Sequence, residues 1–254
     1  MPTPLVLSPK ECQGKTWRPP QGLAFAASHS LLPLHAGELA KAAATMPLAL
    51  VKQGREWRLV GVCGVEAHHN LFIKDGKWMG QYQPEWLATH PFEVVTVGEK
   101  GIVTFDHESG FLAEGEAGEP FFDAQGQLKA AVSTRVETLK AAYGKQQATQ
   151  KALAALARAG VITPWSEALT RQLGMVIDGL HMIDEKALAQ LDDEAFLALR
   201  KAHALPIAYA INLSLPQTHL LARLARLNPG HVAAPENLDS FFDSDEDLSF
   251  DFDD

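Results

Sequence analysis

The fold class follows most directly from one segment, Leu48-Ala49-Leu50-Val51-Lys52-Gln53-Gly54-Arg55-Glu56-Trp57-Arg58-Leu59-Val60-Gly61-Val62. Two apolar runs flank Gln53-Gly54-Arg55, where glycine adopts a positive φ at low steric cost. Apolar runs on both sides of a short glycine-containing turn predict an antiparallel β-hairpin.

Two further pairs of apolar runs follow this segment. Residues 71–73 and 78–79 flank Lys74-Asp75-Gly76-Lys77, and Asp-Gly is a strong hairpin signal. The other pair, 92–97 and 102–105, flanks Gly98-Glu99-Lys100-Gly101. Adjacent hairpins predict a mainly antiparallel sheet in the N-terminal half.

Helical periodicity dominates the C-terminal half. The predicted helices are 128–159 ending at Gly160, one beginning at Asp184, one beginning at Asp192 or Asp193, and 205–227 broken near Pro216. A helix over 30–44, a short helix over 84–88 and strands over 161–165 and 175–182 are also expected. The predicted class is α+β, with the sheet packed against the helical half around one core.

Three regions differ in composition. Residues 1–22 are rich in proline and predict an extended arm anchored by Trp17. Residues 23–230 have the apolar content of a single globular domain. Residues 231–254 are acidic and aromatic and predict a disordered tail.

The tail holds all of the net charge of −9. Its last nineteen residues, 236–254, contain nine of the 31 acidic residues and no Lys or Arg, which leaves 22 acidic and 22 basic residues elsewhere. A neutral body with an acidic tail argues against nucleic acid as a partner. Aromatic residues between carboxylates suit a protein partner with a basic, apolar groove. The candidate contacts are Phe241, Phe242, Phe250, Phe252, Asp243, Asp245, Glu246 and Asp247.

Two other interpretations of the tail stay open. It could only promote solubility, or it could be a C-terminal export signal. The N-terminus shows no basic and apolar leader, so the expected compartment at synthesis is the cytoplasm, with leaderless export to the cell surface as the alternative. The longest run with few charges, 202–221, contains two prolines and several polar residues, so no membrane span is predicted.

An acidic loop, residues 108–123, is the main candidate for chemistry. Glu114, Glu116, Glu119 and Asp123 could line a cleft and supply paired carboxylates for acid–base work. The alternative is a packed loop anchored by its two phenylalanines. The preceding stretch, Asp106-His107-Glu108-Ser109, is interpreted as a strand end and a turn, because catalytic triads seldom use consecutive residues.

Metal and cofactor signals are weak. His68 and His69 are adjacent, would point to opposite faces of a strand, and have no partner at a recognised ligand spacing. No glycine-rich phosphate loop occurs, so neither a metal nor a cofactor is predicted. Cys12 and Cys63 are expected to be reduced packing residues.

Several motifs together resemble the SapC family. They are Trp17-Arg18-Pro19-Pro20, Asn70-Leu71-Phe72, Gly118-Glu119-Pro120-Phe121-Phe122-Asp123, and the stretches 179–188, 191–201 and 204–210. Members of this family are associated with the bacterial surface layer (S-layer), and the resemblance implies no catalytic residue or cofactor. The leading hypothesis is therefore a non-enzymatic, partner-binding protein linked to surface-layer or surface-protein assembly. An enzyme or enzyme accessory acting on peptides through the acidic loop, and a structural surface subunit, are the alternatives; the oligomeric state stays open.

Overall fold

The computed structural model describes residues 4–98, 100–115 and 118–227, and the structural statements below concern those residues. Its strands are β1 (Leu5–Val6), β2 (Lys15–Trp17), β3 (Leu31–Pro33), β4 (Leu48–Gln53), β5 (Glu56–Val62), β6 (Ile73–Lys74), β7 (Lys77–Trp78), β8 (Phe92–Val97), β9 (Lys100–Phe105), β10 (Leu112–Glu114), β11 (Glu119–Pro120), β12 (Ile162–Pro164) and β13 (His181–Ile183). Its α-helices are α1 (Leu39–Ala43), α2 (Trp86–Thr89), α3 (Ala130–Ala159), α4 (Glu167–Leu173), α5 (Glu185–Ala189), α6 (Asp193–Lys201), α7 (Leu205–Leu213) and α8 (Thr218–Arg226).

The largest sheet is antiparallel and has the strand order β12-β13-β4-β5-β3. Its centre is the hairpin of β4 and β5, whose register runs from Leu48 opposite Gly61 to Gln53 opposite Glu56. Gly54 has φ 61° in the connecting turn, a conformation that favours glycine. The hairpin predicted for 48–62 is confirmed.

Three smaller antiparallel sheets complete the described strands, with the orders β1-β9-β8, β10-β2-β11 and β6-β7. The pair β8–β9 and the pair β6–β7 confirm the other two predicted hairpins. In the β6–β7 turn Asp75 and Gly76 both have positive φ, at 51° and 70°, as Asp-Gly turns require. The N-terminal residues add β1 beside β9 and place β2 between β10 and β11.

The predicted helices of the C-terminal half are largely confirmed. The long helix α3 ends at Gly160, whose φ of 71° gives the left-handed cap. The 3₁₀ turn Leu215–Gln217 separates α7 from α8, and Pro216 lies at its centre. The Asp184 side chain accepts a hydrogen bond from the backbone N–H of Ala187, and the Asp192 side chain accepts one from the backbone N–H of Ala195. Both aspartates are therefore N-caps.

The helix predicted over 30–44 is only half right. Leu31–Pro33 forms the edge strand β3 against β5, and a 3₁₀ turn begins at Ala36 and leads into α1. The apolar run at 31–34 has the helical period, but Pro33 at a sheet edge loses no ladder hydrogen bond there. Pairing with β5 therefore overrides the local preference.

The strand predicted over 175–182 is mostly wrong. Only His181–Ile183 pairs in the sheet, between β12 and β4. The preceding residues 174–180 form an irregular connection from α4, and Gly179 has φ 76°, which interrupts an extended strand. Helix α4 itself was not predicted, although Ser166 caps its start and Gly174 its end.

Buried apolar side chains form two clusters, whereas the sequence predicted one shared core. The larger cluster lies around the five-stranded sheet and includes Leu50, Leu59 and Leu156. The smaller cluster lies around Trp17 and contains Cys12, Trp17, Phe92, Phe105, Phe121, Val132, Val136 and Leu139. Helix α3 joins the two, because its first turns pack in the smaller cluster and its last turns in the larger.

Candidate functional site

The tail residues lie outside the described part of the chain. This applies to Phe241, Phe242, Phe250, Phe252, Asp243, Asp245, Glu246 and Asp247. Helix α8 ends at Arg226, and Leu227, the last described residue, is 75% exposed. The role of these tail residues as partner contacts therefore stays a prediction.

The acidic loop is held against the N-terminal residues by two strands. Glu114 ends β10 opposite Lys15, and Glu119 begins β11 opposite Trp17, so the two glutamates flank β2 on opposite sides. Standard strand spacings place their Cα atoms roughly 12 Å apart. Glu116 lies outside the described residues. The backbone of the loop therefore places Glu114 and Glu119 in different strands, on either side of β2.

Asp123, the fourth predicted cleft residue, closes a turn. Its Oδ1 accepts hydrogen bonds from the backbone N–H groups of Gln125 and Gln127, at 2.9 and 2.8 Å. Asp123 N–H in turn donates to the carbonyl of Gln127 at 2.8 Å. This carboxylate stabilises the turn that leads into α3, which is the usual role of an Asx turn.

A cavity of about 400 Å³ lies between the 9–16 turn and the 120–126 loop. Cys12 lines it, and the Cys12 thiol donates to the carbonyl of Val6 at 3.7 Å. Burial raises the pKa of the Cys12 thiol, so the protonated form is favoured over the nucleophilic thiolate. Lys15, also at the cavity, donates from Nζ to the carbonyl of Glu11 at 2.8 Å. These contacts are those of a packed turn.

The 106–109 stretch and the residue beside the two adjacent histidines make hydrogen bonds that hold local structure. Asp106 Oδ1 accepts from Glu108 N–H at 2.9 Å, and Ser109 Oγ donates to the Asp106 carbonyl, so a turn follows β9 as predicted. Asn70, next to the two histidines, is buried; it donates to Ala26 and accepts from Phe72 N–H. Among the described residues, no group of three or more His, Cys, Asp or Glu is placed to hold a metal ion.

A buried polar network was not predicted from the sequence. Glu38 is 2% exposed, and its carboxylate accepts three hydrogen bonds. The donors are the His35 backbone N–H at 3.0 Å, the Tyr82 hydroxyl at 2.8 Å and the Glu85 backbone N–H at 2.9 Å. Burial, reinforced by the hydrogen bond to Glu38, raises the pKa of the Tyr82 phenol, so Tyr82 remains a donor.

The His35 side chain extends this network to α2. Its Nδ1 accepts from Gly37 N–H at 3.1 Å, so Nε2 holds the ring proton and donates to Glu85 Oε2 at 3.0 Å. The spacing His35…Glu38 forms a capping box at the 3₁₀ turn, and that spacing was the available signal in the sequence. Because every oxygen of Glu38 is occupied, the network is a clamp between 35–38 and 82–85.

A second unpredicted cluster is aromatic and surrounds His90. The His90 ring is 6% exposed, stacks on Phe25 at 4.6 Å, and lies 4.8 Å from Trp86, 6.0 Å from Phe111 and 6.1 Å from His29. Nδ1 of His90 and Nδ1 of His29 are buried and have no hydrogen-bond partner among the described residues. Burial, with the neighbouring His29, lowers the pKa of His90 to about 4, although Asp106 acts in the opposite direction. His90 is therefore neutral at physiological pH.

Comparison with known proteins gives one match. The family model described as SapC matches residues 7–221, which is most of the chain and stops short of the acidic tail. No curated protein matches, and no solved structure matches. Among the described residues, no helix combines the length and apolarity needed to cross a bilayer.

Proposed function

Since the chain belongs to the SapC family, we propose that it is a non-enzymatic, partner-binding protein linked to surface-layer or surface-protein assembly. In this proposal residues 236–254 are the docking element, and the folded body holds and presents them. The partner is a protein with a basic, apolar groove.

The distribution of charge in the sequence supports this proposal most directly. Nine acidic residues and no basic residue lie within 236–254, together with four phenylalanines, while the rest of the chain is balanced. Carboxylates alone would keep the chain soluble, but four aromatic side chains in water have an unfavourable hydration that a receiving groove removes. A segment of this composition suits folding on a partner, with rings in the groove and carboxylates on its basic rim.

The contacts of the body's acidic groups are a second support. Asp123 closes a turn, and the buried Glu38 accepts three hydrogen bonds from its own chain. A general acid or base needs an oxygen free to reach substrate. Both oxygens of Glu38 instead accept hydrogen bonds that hold loops, as expected of a scaffold.

The test is affinity capture from native lysate with full-length bait. Wild-type protein is compared with F241A/F242A/F250A/F252A and with D243N/D245N/E246Q/D247N, which keep the chain length unchanged. We expect the first variant to lose the partner, and the second to bind more weakly and with less dependence on salt, because it removes four charges. Equal recovery of the same proteins by all three baits would reject the tail as docking element.

The same baits separate docking from export. Secretion of the wild-type chain and of the quadruple Phe→Ala variant is measured alongside the capture. If the variant is retained inside the cell but still captures the same proteins, the tail is an export signal and the docking proposal is wrong. Loss of capture with unchanged localisation supports docking.

A further inference from the structure

Strand β8 is one edge of the three-stranded sheet β1-β9-β8. It is six residues long, and its last four residues, Val94-Val95-Thr96-Val97, include no charged residue and no proline. All four are β-branched, and such residues favour extended backbone. An unpaired strand edge of this composition is a template for the addition of another strand.

The other edge strands of the described sheets are protected. Strands β1, β6, β7 and β11 have two residues each, and β3, β10 and β12 have three. Pro33, Pro120 and Pro164 end β3, β11 and β12, and Glu114 ends β10. Short strands, proline and charged side chains are devices that prevent edges from pairing. In the described part of the chain, β8 is the only edge strand longer than three residues.

The register of the hairpin shows which backbone groups of β8 face its free edge. A two-residue turn joins β8 to β9, so the residues beside the turn form a hydrogen-bonded pair, and the pattern alternates from there. At the far end, Asp106 N–H donates to the Pro91 carbonyl at 2.9 Å, in agreement with this alternation. The N–H and C=O groups of Val94 and Thr96 therefore point away from β9. Neither N–H donates to another described residue.

Helix α3 packs on one face of β8 and makes no backbone hydrogen bond to its edge. On that face, Thr96 Oγ1 lies 3.4 Å from the Tyr143 hydroxyl and 3.4 Å from Gln147 Nε2. Val95 and Val97 point to the opposite face and are 37% and 58% exposed. Because side chains stand perpendicular to the plane of the sheet, contacts on a face leave the edge groups unpaired.

The geometry of β8 suits an identical strand as the occupant of this edge. A two-fold axis at Val95 would pair Val94 of each copy with Thr96 of the other through reciprocal backbone hydrogen bonds. An axis at Val94 would require the edge groups of Phe92, which is buried. An axis at Thr96 would require Gly98, whose φ of 62° departs from extended geometry. The register centred on Val95 is therefore the one that β8 permits.

The charges on the exposed face agree with this register. Glu93 of one copy would lie opposite Val97 of the other, and Val97 pairs with Lys100 in its own hairpin. The glutamate and the lysine of the other copy would then share a face, with their Cα atoms roughly 10 Å apart. Both side chains are long enough to meet over the valine, and opposite charges at such positions stabilise a sheet. A second copy is thus complementary in charge as well as in hydrogen bonding.

We propose that two copies of this protein pair through β8, which joins their two three-stranded sheets into one continuous antiparallel sheet. The contact is a single pair of short strands and is smaller than a typical permanent interface, so the dimer population depends on protein concentration. The tail takes no part in this pairing. The inference is therefore independent of the proposed docking function, and either can fail alone.

Cysteine cross-linking of the full-length protein tests the register. Val95→Cys places two thiols across the axis in a non-hydrogen-bonded pair, with Cα atoms about 4.5 Å apart, which suits a disulfide. Val97→Cys is the control, because Val97 is more exposed but its two copies would lie roughly 14 Å apart. The native Cys12 and Cys63 are buried.

We expect mild oxidation to give several times more covalent dimer with Val95→Cys than with Val97→Cys on non-reducing gels. Random collision would favour the more exposed position instead. Equal or faster cross-linking of Val97→Cys would therefore overturn the proposal.

Sedimentation velocity measures the association itself. In about 0.15 M salt, which screens repulsion between the acidic tails, the wild type should shift from monomer toward dimer as its concentration rises. Val95→Lys places like charges opposite each other at the axis and should abolish this shift. Val6→Lys is the matched control, because Val6 is also 37% exposed and lies in β1 at the other edge of the sheet. A wild type that stays monomeric, or equal association of the two lysine variants, would reject the β8 dimer.

Discussion

The two cores of this molecule are built in different ways. The larger one is mainly aliphatic and grows around the β4–β5 hairpin, whose strands are neighbours in sequence. The smaller one is aromatic: Phe92 and Phe105 lie opposite each other in the β8–β9 hairpin, and Trp17 and Phe121 join them from distant segments. Trp17 meets Phe92 edge-on at 5.1 Å and stacks on Phe121 at 6.2 Å. Each core contains a hairpin that the sequence predicts, and the residues that pack on it come from distant segments that no local pattern reveals.

Trp17→Ala should have the largest effect on stability. The ring is fully buried among three phenylalanines, so its removal should cost about 3–5 kcal/mol. Urea unfolding followed by circular dichroism measures this loss. Leu50→Ala in the larger core is the matched change, expected to cost about 2–5 kcal/mol. One shared transition in both variants would show that the cores unfold together, and two transitions in Trp17→Ala alone would show that they do not.

Glu38→Ala should rank second. It leaves the His35 N–H, the Glu85 N–H and the Tyr82 hydroxyl without their acceptor, at an expected cost of about 2–3 kcal/mol. Glu85→Gln is the control, because that side chain is 38% exposed and its loss of charge should cost under about 1 kcal/mol. Equal free energies of unfolding for the two variants would mean that the network does not clamp the larger core.

His90 should make stability depend on pH at the contact between the cores. Its folded pKa of about 4 lies below the ordinary value near 6.5, so its contribution is present above 6.5 and is lost as the pH falls through 4. Between pH 7 and pH 5 the loss is about 2 kcal/mol. His90→Phe keeps a ring beside Phe25 and removes the titration. Urea titrations of both proteins at several pH values give the free energy of unfolding as a function of pH. This free energy should change less with pH in the variant than in the wild type. Equal pH dependence in the two proteins would exclude His90 as the source.

The smallest expected effects come from one turn in each region. Asp123→Ala removes the acceptor for two N–H groups beside the smaller core, and Asp184→Ala removes the N-cap of α5 beside the larger. Each should cost about 1 kcal/mol, as typical capping residues do. Thermal unfolding monitored by circular dichroism resolves such changes. A much larger loss for Asp123→Ala would show that the smaller core depends on its loops more than the larger core does.

An element could be predicted when the residues that stabilise it lie close together in the sequence. The three hairpins, α3 with its end at Gly160, and the caps at Asp184 and Asp192 depend on residues close in sequence, and the sequence predicted them. Strand β3 depends on the edge of β5, which helical periodicity cannot reveal. The run from 175 failed as a strand because the backbone at Gly179 turns away from extended geometry.

The candidate sites divide in the same way. From their proximity along the chain, the acidic residues of the 108–123 loop were predicted to line one cleft. In the structure Asp123 closes a turn of its own loop, and Glu114 and Glu119 lie in strands on either side of β2. The polar network was missed because its partners are far apart, with His35 bonded to Glu85 and Ala36 N–H bonded to Thr149 across 113 positions. The tail contacts stay predictions from composition.

By itself, the sequence determined the family, the α+β class, the local turns and caps, and the separation of a neutral body from an acidic tail. These properties depend on composition and on spacings of a few residues. Only the tertiary structure decided that the described residues form two cores joined by α3, that Glu38 accepts three hydrogen bonds while buried, and that the Trp165 indole has no acceptor among those residues. Burial and hydrogen-bond pairing are properties of residues brought together across long stretches of chain, so no local pattern contains them.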